Sequence, residues 1–331
     1  MNPSNLTSGD FVKGCVIREP VGSGAGDWVG APGVFHAADE RAWYLTYRIR
    51  RPRGVEPDRG GEARIARSTD LRQWTDVWSV TKDKFNSASI ERCALRKGPD
   101  GQWRYFASFV DPADGRWCVF VLKSSEVKKL DPAKARRLFT AKPLGLEGVK
   151  DPWILELNGL FHMFLSVAVP TPKTADSSHD TLDIFNTGEC VSATGLAVSR
   201  DLDNWEWQGV VFAPSTTGWD VYCRRMNSVV AQQGKWLAFY DGSASHLDNY
   251  EEKTGLAIST DLRRWETVTP TRPAFTSPQA SGSLRYLEAQ AVGSEVHLFY
   301  EFARADGAHD LRYLKHDLAS LHFDALANAA S

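Results

Sequence analysis

The chain has 331 residues, a formal net charge of −2 and 24% charged residues, so there is no basic field to hold nucleic acid. Five cysteines (Cys15, Cys93, Cys118, Cys190 and Cys223) are odd in number and lie far apart without a CxxC pair, which signals neither a disulfide framework nor a zinc site. The start, "MNPSNLTSGDFVKG", has no basic-then-apolar pattern and no run of about 18 apolar residues occurs, so the expectation is a soluble, reduced, cytoplasmic protein with no membrane partner, metal or cofactor. Twelve tryptophans and sixteen phenylalanines suit many short strands and aromatic-lined sites.

In chain order, "GVFHAADERAWYLTYR" (33–48) joins an apolar strand, a polar turn and an aromatic-rich strand, which predicts a β-hairpin. The same grammar returns in "CALRKGPDGQWRYFASFV" (93–110), "WILELNGLFHMFLSV" (153–167), "SVVAQQGKWLAFYDG" (228–242) and "LEAQAVGSEVHLFYE" (287–301). A second landmark follows each hairpin: "ARSTDLRQW" (66–74), "LKSSEVKKL" (122–130), "AVSRDLDNW" (197–205), "AISTDLRRW" (257–265) and "YLKHDLASL" (313–321). Anchored on Asp70, Glu126, Asp201, Asp261 and Asp317, these copies stand 56, 75, 60 and 56 residues apart. The longest interval carries a polar insert at 171–190. "DPAKARRLF" (131–139) predicts one short helix, with Asp131 as its cap and Pro132 in its first position.

The nonapeptide reads as a corner between a third and a fourth strand. Its Asp would bond backbone N–H groups, its Leu would enter the core and its Trp would cover the gap to a neighbouring sheet. Five units of four antiparallel strands predict an all-β, five-bladed β-propeller, with residues 1–331 as one domain and the insert over its funnel. A pair of β-sandwiches is the alternative, but sandwiches show no such period.

In a propeller the starts of the inner strands and the ends of the second strands surround one funnel. The starts fall at Ala31-Pro32, Glu91-Arg92, Asp151-Pro152, Arg224-Arg225 and Leu284-Arg285. The second-strand ends fall at Arg48 to Arg51, Asp111, the insert, Asp241, and Glu301 to Arg304. Several carboxylates and arginines thus converge on one rim.

With "KDPWILELNGLFHMFLS" (150–166), the corners and the five-fold period, nearly the whole chain resembles the five-bladed glycoside hydrolases of family 43 and their invertase-like relatives. The resemblance implies a saccharide substrate and three inner-strand acids: a base, a pKa-tuning acid and a proton donor. Asp151 matches the tuning acid. Ala31 stands where the family has its base and Arg225 where it has its proton donor. These departures predict a divergent member with relocated acids, or a relative without hydrolytic activity.

Glycoside cleavage needs one protonated carboxyl at the leaving oxygen and one ionised carboxylate facing water or the sugar carbon. The catalytic candidates are Asp151, Glu91, Glu301 and Asp220, with Asp27 behind them. The substrate-binding candidates are Arg92, Arg225, Arg285, Asp241, His179 and His309, with Asp180 and Asp310 beside the two histidines. Arginine forks suit carboxylate or phosphate, so the substrate is expected to be acidic or phosphorylated, or phosphate to be a co-substrate. Trp28 and Trp219 could stack on sugar faces. Each acid could instead cap a turn or pair with a neighbouring arginine in a structural network. Three functions remain open: glycoside hydrolysis, glycoside phosphorolysis, and saccharide or protein binding without catalysis.

Overall fold

The computed structural model describes residues 5–321. Its only α-helix among them is the single turn and a half of Ser8–Val12 (α1), too short to cross a membrane. The rest is β-structure and short 3₁₀ turns.

After β1 (Cys15–Arg18), the strands pair antiparallel in runs of four. The first quartet is β2 (Trp28–Ala37), β3 (Ala42–Arg51), β4 (Arg59–Ser68) and β5 (Thr75–Thr81). The second is β6 (Ala94–Lys97), β7 (Trp103–Val110), β8 (Trp117–Ser124) and β9 (Arg136–Phe139). The third is β10 (Gly148–Leu157), β11 (Leu160–Pro170), β12 (Cys190–Ser199) and β13 (Glu206–Phe212). The fourth is β14 (Cys223–Gln232), β15 (Lys235–Ser243), β16 (Lys253–Ser259) and β17 (Glu266–Thr267). The last is β18 (Leu284–Val292), β19 (Glu295–Ala303) and β20 (His309–Asp317), and its outer place is taken by β1. β1 and β20, the first and last described strands, are thereby stitched into one sheet, where the sequence predicts only a plain N-terminal lead.

The innermost strands form a ring: β2 lies against β6 and β18, β10 against β6 and β14, and β14 against β18. Five buried apolar clusters fill the gaps between neighbouring quartets. One example joins Tyr44 and Ile65 to Leu95 and Trp103; another joins Val29 and Leu45 to Phe299 and Leu311.

Three of the five corners are built as expected; in the copy at 122–130, Glu126 pairs with Lys128 and Lys129 instead of bonding turn amides, and Asp317 takes only the amide of Ala319. Asp70 Oδ1 accepts from the amides of Arg72 and Gln73 at 2.9 and 2.8 Å, and Ser68 Oγ accepts from Leu71 N at 2.9 Å. Ser199–Asp201 and Ser259–Asp261 repeat this arrangement. Satisfying the turn's N–H groups locally lets Leu71, Leu202 and Leu262 adopt φ of +63°, +66° and +63° and drop into the core. The expected helix at 131–139 is corrected. Asp131 does cap a turn, but the turn ends at Lys134, and Arg136–Phe139 becomes the outer strand of its quartet. Pairing with β8 overrides the local helical preference of this stretch.

Four innermost strands slip register near their starts, between Gly30 and Gly33, Lys150 and Trp153, Met226 and Ser228, and Arg285 and Glu288. Such bulges re-aim side chains. At three of them a non-glycine residue takes left-handed backbone: Ala31 (φ +51°), Asp151 (+55°) and Tyr286 (+51°). Each bulge amide is caught by the preceding quartet. Ala31 N donates to Glu301 at 3.1 Å, Asp151 N to Ser108 Oγ at 2.8 Å, and Tyr286 N to Asp241 at 3.1 Å.

Candidate active site

The bulges bring a set of buried charges to one end of the ring. Glu91 takes Arg48 Nε at 2.6 Å and Arg50 Nη1 at 3.2 Å. Burial opposes its ionisation, but Arg48, Lys150 and Arg50 outweigh it and bring the carboxyl down to about 2. Glu301 takes Arg285 at 2.6 Å, Arg48 at 3.2 Å and His309 Nδ1 at 2.8 Å. Burial opposes its ionisation, but Arg285 and Arg48, with the hydrogen bond to His309, outweigh it and hold the carboxyl well below the usual carboxylate range. Glu252, absent from the sequence candidates, pairs with both Arg225 and Arg285. Arg225 also donates to Asn249 Oδ1 at 2.8 Å. Arg225 and Arg285, expected to hold substrate, are therefore occupied by protein carboxylates.

Asp151 differs. It is 2% exposed, and neither carboxylate oxygen hydrogen-bonds to any described residue. The ammonium of Lys150 lies 3.8 Å away, itself between the rings of Trp117 and Phe185 at 4.7 and 4.8 Å. A buried carboxylate without hydrogen bonds is costly, and the fold holds it there through a left-handed backbone. Beside it is Tyr286, at the equivalent bulge of the last quartet. Burial, together with the charges of Asp151 and Glu91, keeps its phenol protonated far above its ordinary range. Asp241 accepts from Asn227 Nδ2 at 2.6 Å and from Tyr286 N. Burial pushes its carboxyl up to about 6, against the pull of Arg225 and Arg285.

The remaining candidates lie elsewhere or face other partners. Asp220 is bidentate with Arg224 at 2.7 and 2.9 Å and accepts from Tyr240, a structural pair beside Trp219 rather than a member of the Glu91–Glu301 cluster. Arg92 crosses the axis of the ring. It donates to Pro32 O and Asn227 O at 2.8 Å each and pairs with Glu288, which also takes Trp153 Nε1 at 3.0 Å. One ion pair thus ties together four innermost strands and the segment leading into the fifth. His179 turns to Glu147 at 2.8 Å, a carboxylate that it shares with Arg116. His309 lies between Glu301 and Glu251 (3.0 Å to the latter) and stacks on Trp28 at 4.6 Å. Asp310 pairs with Arg312. Asp180 and Asp27 make none of the contacts that define the cluster.

Sequence reasoning missed Lys150, Tyr286, Glu252, Asp183 and Tyr250. Lys150 opens the quoted stretch 150–166 and Tyr286 precedes the hairpin at 287–301, but the bulges that turn them to the site show only in the strand register. Asp183, Tyr250 and Glu252 sit in loops whose partners come from other quartets, and no local pattern marks them.

No protein-family model and no curated protein matches the sequence. Among solved structures, a thermostable family-43 glycoside hydrolase is similar over 91% of this chain and 91% of its own, with a TM-score of 0.60 and 14% identity. An endo-arabinase from Bacteroides thetaiotaomicron is similar over 91% and 96%, with a TM-score of 0.57 and 14% identity. A β-1,2-mannobiose phosphorylase from Listeria innocua is similar over 97% and 98%, with a TM-score of 0.61 and 13% identity. The chain shares the fold of family-43 glycoside hydrolases and related glycoside-active proteins, at an identity that marks it as divergent.

Proposed function

We propose that this chain is a five-bladed β-propeller enzyme that breaks a glycosidic bond in its funnel, with Asp151 carrying the proton to the leaving oxygen. The ring of innermost strands, with an apolar cluster in each gap, supports the blade reading. The observation that carries the chemistry is the hydrogen-bond vacancy of Asp151: a buried carboxyl with no protein partner is ready for a ligand hydroxyl or glycosidic oxygen.

Phosphorolysis suits the constellation better than hydrolysis. Inverting hydrolysis needs a second free carboxylate to activate water. Glu91, Glu252 and Glu301 are each neutralised by arginines. Phosphate brings its own negative charge and needs cations instead. The ammonium of Lys150 stands 3.8 Å from Asp151, beyond hydrogen-bond distance, and the buried Nη1 of Arg48 and Nε of Arg50 have no hydrogen-bond partner among the described residues. The glycosidic C–O bond then breaks as a phosphate oxygen bonds to the anomeric carbon. The proton goes to the departing alcohol, leaving a sugar 1-phosphate. Hydrolysis is the second reading, and Asp241, with a carboxyl near 6, is the group that favours it.

The test is a panel of aryl glycosides and disaccharides, with and without inorganic phosphate, followed by phosphorus NMR. Phosphate-dependent release of a sugar phosphate supports phosphorolysis. Equal release without phosphate supports hydrolysis. Saturable saccharide binding with no turnover on any substrate would make the chain a binding protein.

A further inference from the structure

We infer that Arg59, Asp183 and Tyr250 form a clasp that roofs the funnel and opens as one unit, so that the site takes the end of a saccharide chain and excludes an internal stretch of one. The preference for chain ends rests on the glycosidic reading above; the clasp does not.

Asp183 is the keystone. It lies in the insert of the third quartet and is 1% exposed. Oδ1 accepts from Trp117 Nε1 of the second quartet at 2.9 Å. Oδ2 accepts from Asn186 within the insert at 3.2 Å, and from the phenol of Tyr250, in the loop between β15 and β16 of the fourth. The guanidinium of Arg59, from the first, lies 3.7 Å away and donates to Leu182 O at 2.9 Å. One carboxylate thus joins elements from four quartets. Tyr250 also covers Arg50 at 4.4 Å and sits edge-on to Trp28 at 6.0 Å. Its neighbours fasten the same strap: Asn249 reaches Asn186 and Arg225, Glu251 reaches His309 of the last quartet, and Glu252 reaches Arg285.

The backbone at this junction is strained. Arg59, Leu182 and Tyr250 take φ of +58°, +56° and +88°, and none is glycine. Left-handed backbone is disfavoured for side-chain-bearing residues, and for a bulky aromatic it persists only where surrounding contacts impose it. Here those contacts run between loops, so loosening one loop removes what constrains the others. The corners and the five clusters between quartets lie elsewhere and need not move, whereas Trp117, Ile184 and Phe185 pack together beneath Asp183 and respond with it. The roof is fastened to four quartets through Asp183 and to the fifth through Glu251 and His309, an arrangement that favours entry of a chain end over passage of a polymer.

The experiment is amide hydrogen exchange on the full chain, wild type against Tyr250→Phe, with Asp183→Asn as a second variant. Loss of one phenol hydroxyl is expected to speed exchange roughly tenfold in residues 53–59, 179–186 and 247–252 together, with the corner at 199–205 unchanged. Acceleration confined to 247–252, or none in either variant, overturns the clasp. The second arm offers end-labelled oligosaccharides of each linkage that proves active. Single-residue products from one end are expected, and products of intermediate length overturn the chain-end preference. Failure to turn over any saccharide counts against the glycosidic reading and leaves the exchange result to decide the clasp.

Discussion

Trp74, at the corner of the first quartet, meets Phe299 of the last edge-on, with ring centroids 6.0 Å apart and planes at 84°. The same pair is made twice more, each time from a corner to the second strand of the preceding quartet. Trp205 meets Phe106 at 6.1 Å and Trp265 meets Phe164 at 6.0 Å. Each indole nitrogen also donates to the corner leucine's carbonyl, so one side chain both closes its own turn and packs the neighbouring interface. The repeated nonapeptide is therefore an instruction for ring assembly, written at the outer corner of a quartet where it locks onto the second strand of the one before.

Trp265→Ala is expected to cost roughly 2–4 kcal/mol, somewhat under a fully buried truncation because the indole is part-exposed. Asp261→Ala, which strands two turn amides, should cost about 1 kcal/mol. Urea unfolding of both variants checks the order. A larger loss from the aspartate would mean that the turn, and not the interface, carries the corner's stability.

The corners, the hairpins and the place of Asp151 at the start of an inner strand were legible because each is fixed by neighbours in sequence: Ser68 with Leu71, β10 with β11, Asp151 with Pro152. The role of the funnel acids was not. Whether Glu91 is free or bound depends on Arg48 and Arg50, more than forty residues away on another quartet. Asp220 looked equivalent to Glu91 by its place before an inner strand, but the pleat aims Arg224 away from Arg225 and takes Asp220 with it. The outer strand at Arg136–Phe139 was mistaken for helix because its pairing with β8 leaves no mark in its own four residues.

Glu91→Gln should act on stability. It leaves Arg48 with Glu301 alone and Arg50 with no carboxylate, both buried, and removing one partner of such a pair costs roughly 3–5 kcal/mol. Thermal unfolding is the measurement. A variant as stable as wild type but inactive would return Glu91 to a catalytic role.

Glu91 and Asp241 predict opposite slopes with pH. Glu91 is depressed to about 2, so its stabilisation is present above the unfolded value near 4.3 and is lost as pH falls below it. Asp241 is raised to about 6, so its contribution is fullest below about 3.9 and is lost as pH rises through 6, a change of about 3 kcal/mol. Asp241→Asn should flatten the stability profile between pH 4 and 6 and leave the acid limb below pH 4 in place. Denaturant titrations at half-unit intervals test this, and an unchanged slope in that window would place the proton elsewhere.

Asp151→Asn should separate activity from stability. The carboxylate has no hydrogen bond to lose, and holding such a group in the interior without one is costly to the fold. Lys150 would lose its 3.8 Å partner, yet it also acts on Glu91 and Asp183, so the ammonium is not abandoned. The balance favours the neutral side chain, and the melting temperature should hold or rise by a few degrees, as when a residue kept for chemistry is replaced by one suited to the fold. Turnover on any active glycoside should fall by roughly 10²-fold or more, because asparagine cannot carry the proton. The two measurements on one variant are decisive together. A stable variant with lost turnover assigns Asp151 to the reaction, whereas a destabilised variant that still turns over would make it a structural counter-charge for Lys150.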